Sequence, residues 1–374
     1  MTRLLRALIA AGIATSALAG CGGVSLPPAP DDAAVVERVH QAFVEAMKPR
    51  RAGRPVVAVL ALNEGTETTD LLLPHAVLQR SGVVDVQVVA PRRGRVALYP
   101  ALQIDGAQDF AGFDQAHPQG ADYVIVPAMR VDDDPAVMGW LKRQAGQGAR
   151  VVSVCSGALV VGSAGLLDGR RFATHWYFRD KVLDRHPAAT FVPHQRYMVD
   201  RDVATTTGIS ASVPAMLALV EAIGGRAKAQ ALAAELGVAS WSPAHDSTRF
   251  GLDASRAAGF LLNKAAFWRH ERWRVDVYDG VDDIALAFAA DAWSRTGRVG
   301  VEAAAAGPVT LKSGLVLVAQ PAAESLPRLP LSRALKPVQQ LDRTLCEIAD
   351  RFGAARREWV MQELEYPDPG TACA

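Results

Sequence analysis

Val151-Val152-Ser153-Val154-Cys155-Ser156-Gly157-Ala158-Leu159-Val160 is the stretch on which the fold turns. β-branched residues run into a cysteine, and a small residue and a glycine lead at once into a helical pattern. That is the sequence form of a nucleophile elbow, known best with serine. A thiol there projects from a strained strand-to-helix turn at the positive end of a helix, where the reactive thiolate is favoured. The alternative is a buried structural cysteine, a common occupant of protein cores. The strand-turn-helix context weighs against it.

Working outward, the elbow strand is one of several apolar runs. Residues 56–62 form a continuous one, of the length of a buried parallel strand. A polar loop at 63–66 leads into a helix ending near Gly82, with strands at 84–90 and 123–127 and a hairpin pattern at 96–104. Acids at 132–134 open another helix at its favourable end. Residues 190–207 read as β-like, and 210–224 and 227–236 as helical. This alternation predicts an α/β fold: a flavodoxin-like, doubly wound parallel sheet carrying the elbow, followed by a C-terminal α/β extension.

The chain has 374 residues, enough for one large α/β domain plus a further module. Its formal charge of +1 lacks the basic excess of a nucleic-acid surface. No P-loop or GxGxxG run supports nucleotide binding. His186, His194 and His245 lack metal-ligand spacing. No cofactor and no metal are expected.

The N-terminus reads as an export signal. Arg3 and Arg6 precede an apolar stretch at 8–18 that is too short to span a bilayer. Leu18-Ala19-Gly20-Cys21 resembles the bacterial lipobox, which makes 1–20 a lipoprotein signal peptide and Cys21 the lipidated N-terminus. Each buried methylene of the acyl chains would contribute ~0.8 kcal/mol to the anchor. Gly22 follows rather than Asp, pointing to the periplasmic side of the outer membrane. Residues 21–52 form a Pro-rich tether and a helix with Val36, Val39, Phe43 and Met47 at helical spacing. Of four cysteines, Cys346 and Cys373 remain. In an oxidising compartment they form a disulfide or stay as two free thiols.

Several motifs occur together: Cys155-Ser156-Gly157-Ala158, Gly165-Leu166-Leu167-Asp168-Gly169-Arg170, Ala173-Thr174-His175-Trp176, Gln195-Arg196-Tyr197 and Thr207-Gly208-Ile209-Ser210-Ala211. With them, residues 56 to about 240 resemble the DJ-1/PfpI superfamily, whose fold resembles class I glutamine amidotransferases. More narrowly they resemble isonitrile hydratases and the amidase-like domain of AraC-type regulators. The resemblance implies that Cys155 is the nucleophile and that Asp70, four residues before Pro74, is the carboxylic acid held against its sulfur. It places His175 near the pocket, where it would orient substrate or assist proton transfer. A helix-capping Asp70 and a satisfied core histidine are the plainer alternatives. Backbone N–H groups of Ser156 and of the Ala128–Met129 turn could form an oxyanion hole.

Two departures narrow this picture. The protease-like branch has histidine after the elbow cysteine, and this chain has Ser156, which argues against a PfpI-type peptidase. The superfamily usually has glycine after the proline of the third strand, whereas this chain runs Pro127-Ala128-Met129-Arg130. The region after 245 lacks the basic helix-turn-helix of a regulator. Residues 53–245 are therefore expected to form the DJ-1/PfpI-like domain and 246–374 the extension. That extension repeats the strand, acidic loop, helix, Arg-x-Gly, strand order of 56–105, as a degenerate half-repeat or by coincidental βαβ order. Ala285 and Ala289 would answer to Asp70 and Pro74. The expected function is a cysteine-dependent enzyme acting on a small electrophilic carbon (isonitrile, amide or carbonyl). The alternative is a small-molecule or redox-sensing lipoprotein. The expected partners are a small ligand and, through Cys21, a membrane, with no nucleic acid. The superfamily often forms homodimers, though the extension could cover that surface.

Overall fold

The computed structural model describes residues 26–29, 32–251, 271–367 and 373. The expected signal peptide and lipidated Cys21 lie outside the described residues. In chain order the first half comprises α1 (Ala33–Ala46), β1 (Val56–Leu60), β2 (Thr66–Glu67), α2 (Thr68–Ser81), β3 (Asp85–Ala90), β4 (Gly94–Tyr99), β5 (Gln103–Asp109) and α3 (Phe110–Ala116). Then come β6 (Tyr123–Val126), α4 (Pro135–Gly146), β7 (Arg150–Ser153), α5 (Gly157–Ser163), β8 (Arg171–Phe172), α6 (Arg179–Arg185) and β9 (Thr190–Phe191). β10 (Tyr197–Asp200), β11 (Val203–Thr206), α7 (Ser212–Gly224) and α8 (Arg226–Leu236) complete the part before 245. The C-terminal region adds β12 (Glu271–Asp276), α9 (Asp283–Arg295), β13 (Val299–Ala304), β14 (Val309–Thr310), β15 (Val316–Leu317), α10 (Gln339–Phe352) and α11 (Ala354–Leu364).

The main sheet runs β10-β11-β7-β6-β1-β3-β5-β15-β14. Its interior ladders, from β11 through β5, are parallel. Both faces are buried, which is why β1 is continuously apolar rather than alternating. Val57 and Val59 face one core, shared with α2, α7 and α9, and Ala58 and Leu60 face the other, shared with α4 and α5. The chain moves from β1 outward to β3 and then returns to β6 on the opposite side of β1. Ligand sites of open α/β sheets form at such a switch point, outside the carboxyl ends of the strands. Glu67, Ala128 and Cys155 follow the carboxyl ends of β1, β6 and β7.

The C-terminal region shares the first half's sheet and core. β15 pairs antiparallel with β5, with Leu317 opposite Ile104. Val275, Ile284, Leu345 and Val360 are buried in the same cluster as Leu72 and Leu217. β12 and β13 make a separate parallel pair. Cys346 on α10 is bonded to Cys373, with Cα atoms 5.3 Å apart. Among the described residues, no helix is long and apolar enough to cross a membrane.

Candidate active site

The elbow is built by a close crossing of backbone. Cys155 has φ of +56°, a left-handed conformation that a non-glycine residue adopts only when its surroundings impose it. Its N–H donates to Thr206 Oγ1 at 3.1 Å, and its carbonyl accepts from Thr174 Oγ1 at 3.1 Å. At Gly157 a Cβ would collide with the Val126 carbonyl oxygen, so the turn into α5 requires glycine. Cys155 is 5% exposed and lines a cavity of about 290 Å³.

Two acids come from the start of α2. Glu67 caps the helix, accepting from the Asp70 N–H at 2.6 Å and from Thr69 Oγ1 at 2.8 Å. Its other oxygen binds Arg295 at 2.7 Å, and Glu67 lines the cavity. Asp70 is fully buried. Its Oδ2 accepts from the Ala128 N–H at 3.0 Å, while Oδ1 has no hydrogen-bond partner in the protein.

Burial sets the ionisation of this group. It drives the Glu67 carboxyl well above the ordinary value, helped by the charges of Asp70 and Asp291 and opposed by Arg295. Burial pushes Asp70 up to about 7 against the pull of the Ala128 N–H and Arg295. It also lifts the Cys155 thiol well above its usual range, with Asp70 and Glu67 adding to the effect; Arg295 and the Ser156 N–H, hydrogen-bonded to the sulfur, act the other way. Three acids in one low-dielectric site cannot all ionise, so they titrate as a unit. The resting thiol is protonated, and a thiolate forms when its proton passes to a carboxyl.

His175 lines the same cavity but is tied at both nitrogens. Nε2 donates to the Glu363 carbonyl at 3.0 Å, and Nδ1 accepts from the Tyr177 N–H at 3.2 Å. Those partners fix the neutral tautomer, and burial lowers its pKa further. The ring is a wall and an anchor for α11 rather than an open proton acceptor.

Cys155, Ser156, Ala128 and His175 therefore meet at one cavity. Asp70 reaches the sulfur through its charge rather than by lining the space. Of the expected oxyanion donors, the Ala128 N–H is engaged by Asp70, and Met129 does not line the cavity. Ser156 supplies the backbone donor next to the sulfur. Trp176 also lines the cavity and donates from its indole N–H to the Gln362 carbonyl at 2.8 Å.

The charged and C-terminal lining residues are absent from the sequence reading: Glu67, Arg295, Trp359 and Glu363. Glu67 had a signal, an acid at the N-cap before Asp70. The other three come from the C-terminal region; Arg295 belongs to the Arg-x-Gly that ends α9, and Trp359 and Glu363 carry no local motif. That region is locked down by Glu365, whose Oε2 accepts from the Gly208 N–H at 2.6 Å and whose Oε1 meets His245 Nε2 at 3.0 Å. Among the described residues no group of three or more His, Cys, Asp or Glu is arranged to hold a metal.

The elbow, its buried acids and the switch-point cavity agree with a comparison to known families. Residues 56–222 match the DJ-1/PfpI family. Over this stretch the chain is similar to that family. An isonitrile hydratase of Pseudomonas putida is 34% identical over 112 residues, 30% of this chain and 47% of that protein. The chain thus spans about half the length of that relative. A Parkinson disease protein 7 homolog of Danio rerio is 26% identical over 182 residues, 46% of this chain and 92% of that protein. Among solved structures, a THiJ/PfpI family protein from Pseudomonas syringae aligns with a TM-score of 0.48 at 22% identity, covering 58% of this chain and 89% of that one.

Proposed function

We propose that the protein is a cysteine-dependent enzyme that hydrates or hydrolyses a small electrophilic carbon, as in an isonitrile, amide or reactive carbonyl. The observation that carries this reading is Cys155, held in a left-handed elbow on a half-open cavity beside two buried acids with raised pKa. Asp70, raised to about 7, exchanges a proton near neutral pH and so can take one up and deliver it, while Glu67 keeps its own. The match to isonitrile hydratase supports the substrate class.

For an isonitrile the steps balance as follows. Cys155 passes its proton to the ionised form of Asp70, and the carboxylic acid so formed delivers it to the terminal carbon as the sulfur bonds to that same carbon. The product of this net S–H addition is a thioimidate. Water then adds across the C=N bond, the C–S bond breaks, and the sulfur recovers a proton through the carboxyl. The sum is substrate plus one water, an N-substituted formamide. Tyr99, Trp176, Tyr177, Phe178 and Trp359 give the cavity an apolar wall suited to a neutral organic group.

The protonated resting thiol favours a second reading, a binding module that holds a small molecule without turning it over. Assaying isonitriles, amides and dicarbonyls with wild type and Cys155→Ala separates the two. The enzyme reading requires turnover that the variant loses; binding without turnover of any of them favours the module. We place the protein at the bacterial envelope, anchored through Cys21, on the strength of Leu18-Ala19-Gly20-Cys21. Membrane fractionation unchanged in Cys21→Ala would contradict that placement.

A further inference from the structure

The C-terminal region repeats the first βαβ unit down to its hydrogen bonds. β12 and β13 pair in parallel as β1 and β3 do, with Glu271 opposite Val299 as Val56 is opposite Asp85. α2 and α9 each begin on an acidic cap, Glu67 and Asp282. They end alike, in Arg80-Ser81-Gly82 and Arg295-Thr296-Gly297. The Ser81 and Thr296 hydroxyls donate to the Leu78 and Trp293 carbonyls, both at 2.5 Å, and accept from the Val83 and Arg298 N–H, both at 3.2 Å. Gly82 and Gly297 follow with φ of +66° and +65°.

α2 and α9 pack against each other, and their polar contacts are reciprocal. Arg80 binds the cap of α9, Asp282, at 2.8 Å, and Arg295 binds the cap of α2, Glu67, at 2.7 Å. A contact in which one surface meets its own equivalent is the mark of a two-fold interface. Here both halves belong to one chain, and only one end of the axis carries chemistry. Arg80 ends among Asp282, Glu235 and Lys312, and none of the four lines the Cys155 cavity. Arg295 ends on that cavity, bound also to Asp291 at 2.7 Å and Glu363 at 3.2 Å. Among the described lining residues it is the only guanidinium or ammonium.

We infer that Arg295 is a positioning residue of the Cys155 site, supplied by an internal partner: it clamps Glu67 and places a cation at the thiol. This rests on the reading of Cys155 as a nucleophile. The groups around the sulfur are Asp70 and Glu67 from α2, Asp291 and Arg295 from α9, Glu363 from α11, neutral His175 and the Tyr99 phenol. Four of these are acids, so a single guanidinium decides whether a negatively charged reagent can approach.

The test is alkylation of Cys155 by iodoacetamide and by iodoacetate, followed by peptide mass spectrometry on the full chain. Cys155 is the free thiol among the described residues, so the readout is local. The iodoacetate-to-iodoacetamide rate ratio cancels the thiolate fraction and reports charge at the sulfur. Arg295→Met should lower that ratio roughly tenfold, the scale of one unit charge removed at close range in a partly screened site. Arg295→Lys should restore most of it. Arg80→Met breaks the mirror-image contact and should leave the ratio within about twofold, again on the Coulomb scale. An unchanged ratio in Arg295→Met, or equal shifts in Arg295→Met and Arg80→Met, overturns the inference while leaving Cys155 reactive. A wild-type Cys155 that takes neither reagent at any pH removes the nucleophile reading and this inference together.

Discussion

Replacing Asp70 by asparagine should stabilise the protein, increasingly as pH rises from the ordinary carboxyl value of 3.8 to about 7. In the folded chain the carboxyl titrates at about 7 instead of the ordinary 3.8, because it is fully buried. Between those values the folded state keeps a proton that the unfolded chain has released. Stability contributed by this group therefore falls as pH rises through the window and is level above it. A shift of about three units at 1.36 kcal/mol each amounts to about 4 kcal/mol. Asparagine cannot ionise, its oxygen can still accept from the Ala128 N–H, and its amide stands where the protonated oxygen would be. Any packing defect adds an offset independent of pH. Urea unfolding at pH 4 and pH 8 reads the effect, since buried groups outside the Asp70–Glu67–Cys155 unit, such as His75, cancel between variant and wild type. The stability difference between Asp70→Asn and wild type should grow by about 4 kcal/mol from the lower to the higher pH. Parallel curves would refute the claim that Asp70 is held protonated by burial.

Three further outcomes follow from the same geometry. Gly157→Ala should destabilise by about 2 kcal/mol or more by thermal unfolding, because its Cβ meets the Val126 backbone carbonyl rather than a yielding side chain. Glu365→Ala should lose about 1–3 kcal/mol by stranding the Gly208 N–H; it should also speed alkylation of Cys155 as α11 loosens over the cavity. His175→Asn should lower the rate without changing the shape of the pH–rate profile, since an imidazole bonded at both nitrogens and held neutral contributes no titration limb. A limb near pH 6.5 in wild type that vanishes in the variant would contradict it.

The strands of the sheet interior were legible because their signals are local. A buried parallel strand must be apolar on both faces, and residues 56–62 and 123–127 have no other way to satisfy that pattern. The elbow was legible because a cysteine followed by a small residue and glycine fits few other turns. What sequence could not supply was the lid of the site. Trp359, Glu363 and Arg295 reach the cavity through the packing of α9 on α2, a contact between residues far apart in the chain. The order of strand, loop and helix after 271 was readable, but the reciprocal Arg80–Asp282 and Arg295–Glu67 contacts exist only in three dimensions. The oxyanion donors were placed by pattern, and the Ala128 N–H is taken by Asp70 because that carboxylate is buried directly against it. Glu67 was passed over because Asp70 already matched the expected acid, although only Glu67 lines the cavity.

The central claim is that the Cys155 sulfur bonds covalently to a small electrophilic carbon. Rapid quenching of the protein with an isonitrile, followed by peptide mass spectrometry, tests it most directly. A thioimidate should appear on Cys155 with the mass of the intact isonitrile, build up and decay as formamide forms, and be absent in Cys155→Ala together with turnover. Formamide released while Cys155 stays unmodified, or by Cys155→Ala at the wild-type rate, would contradict the account.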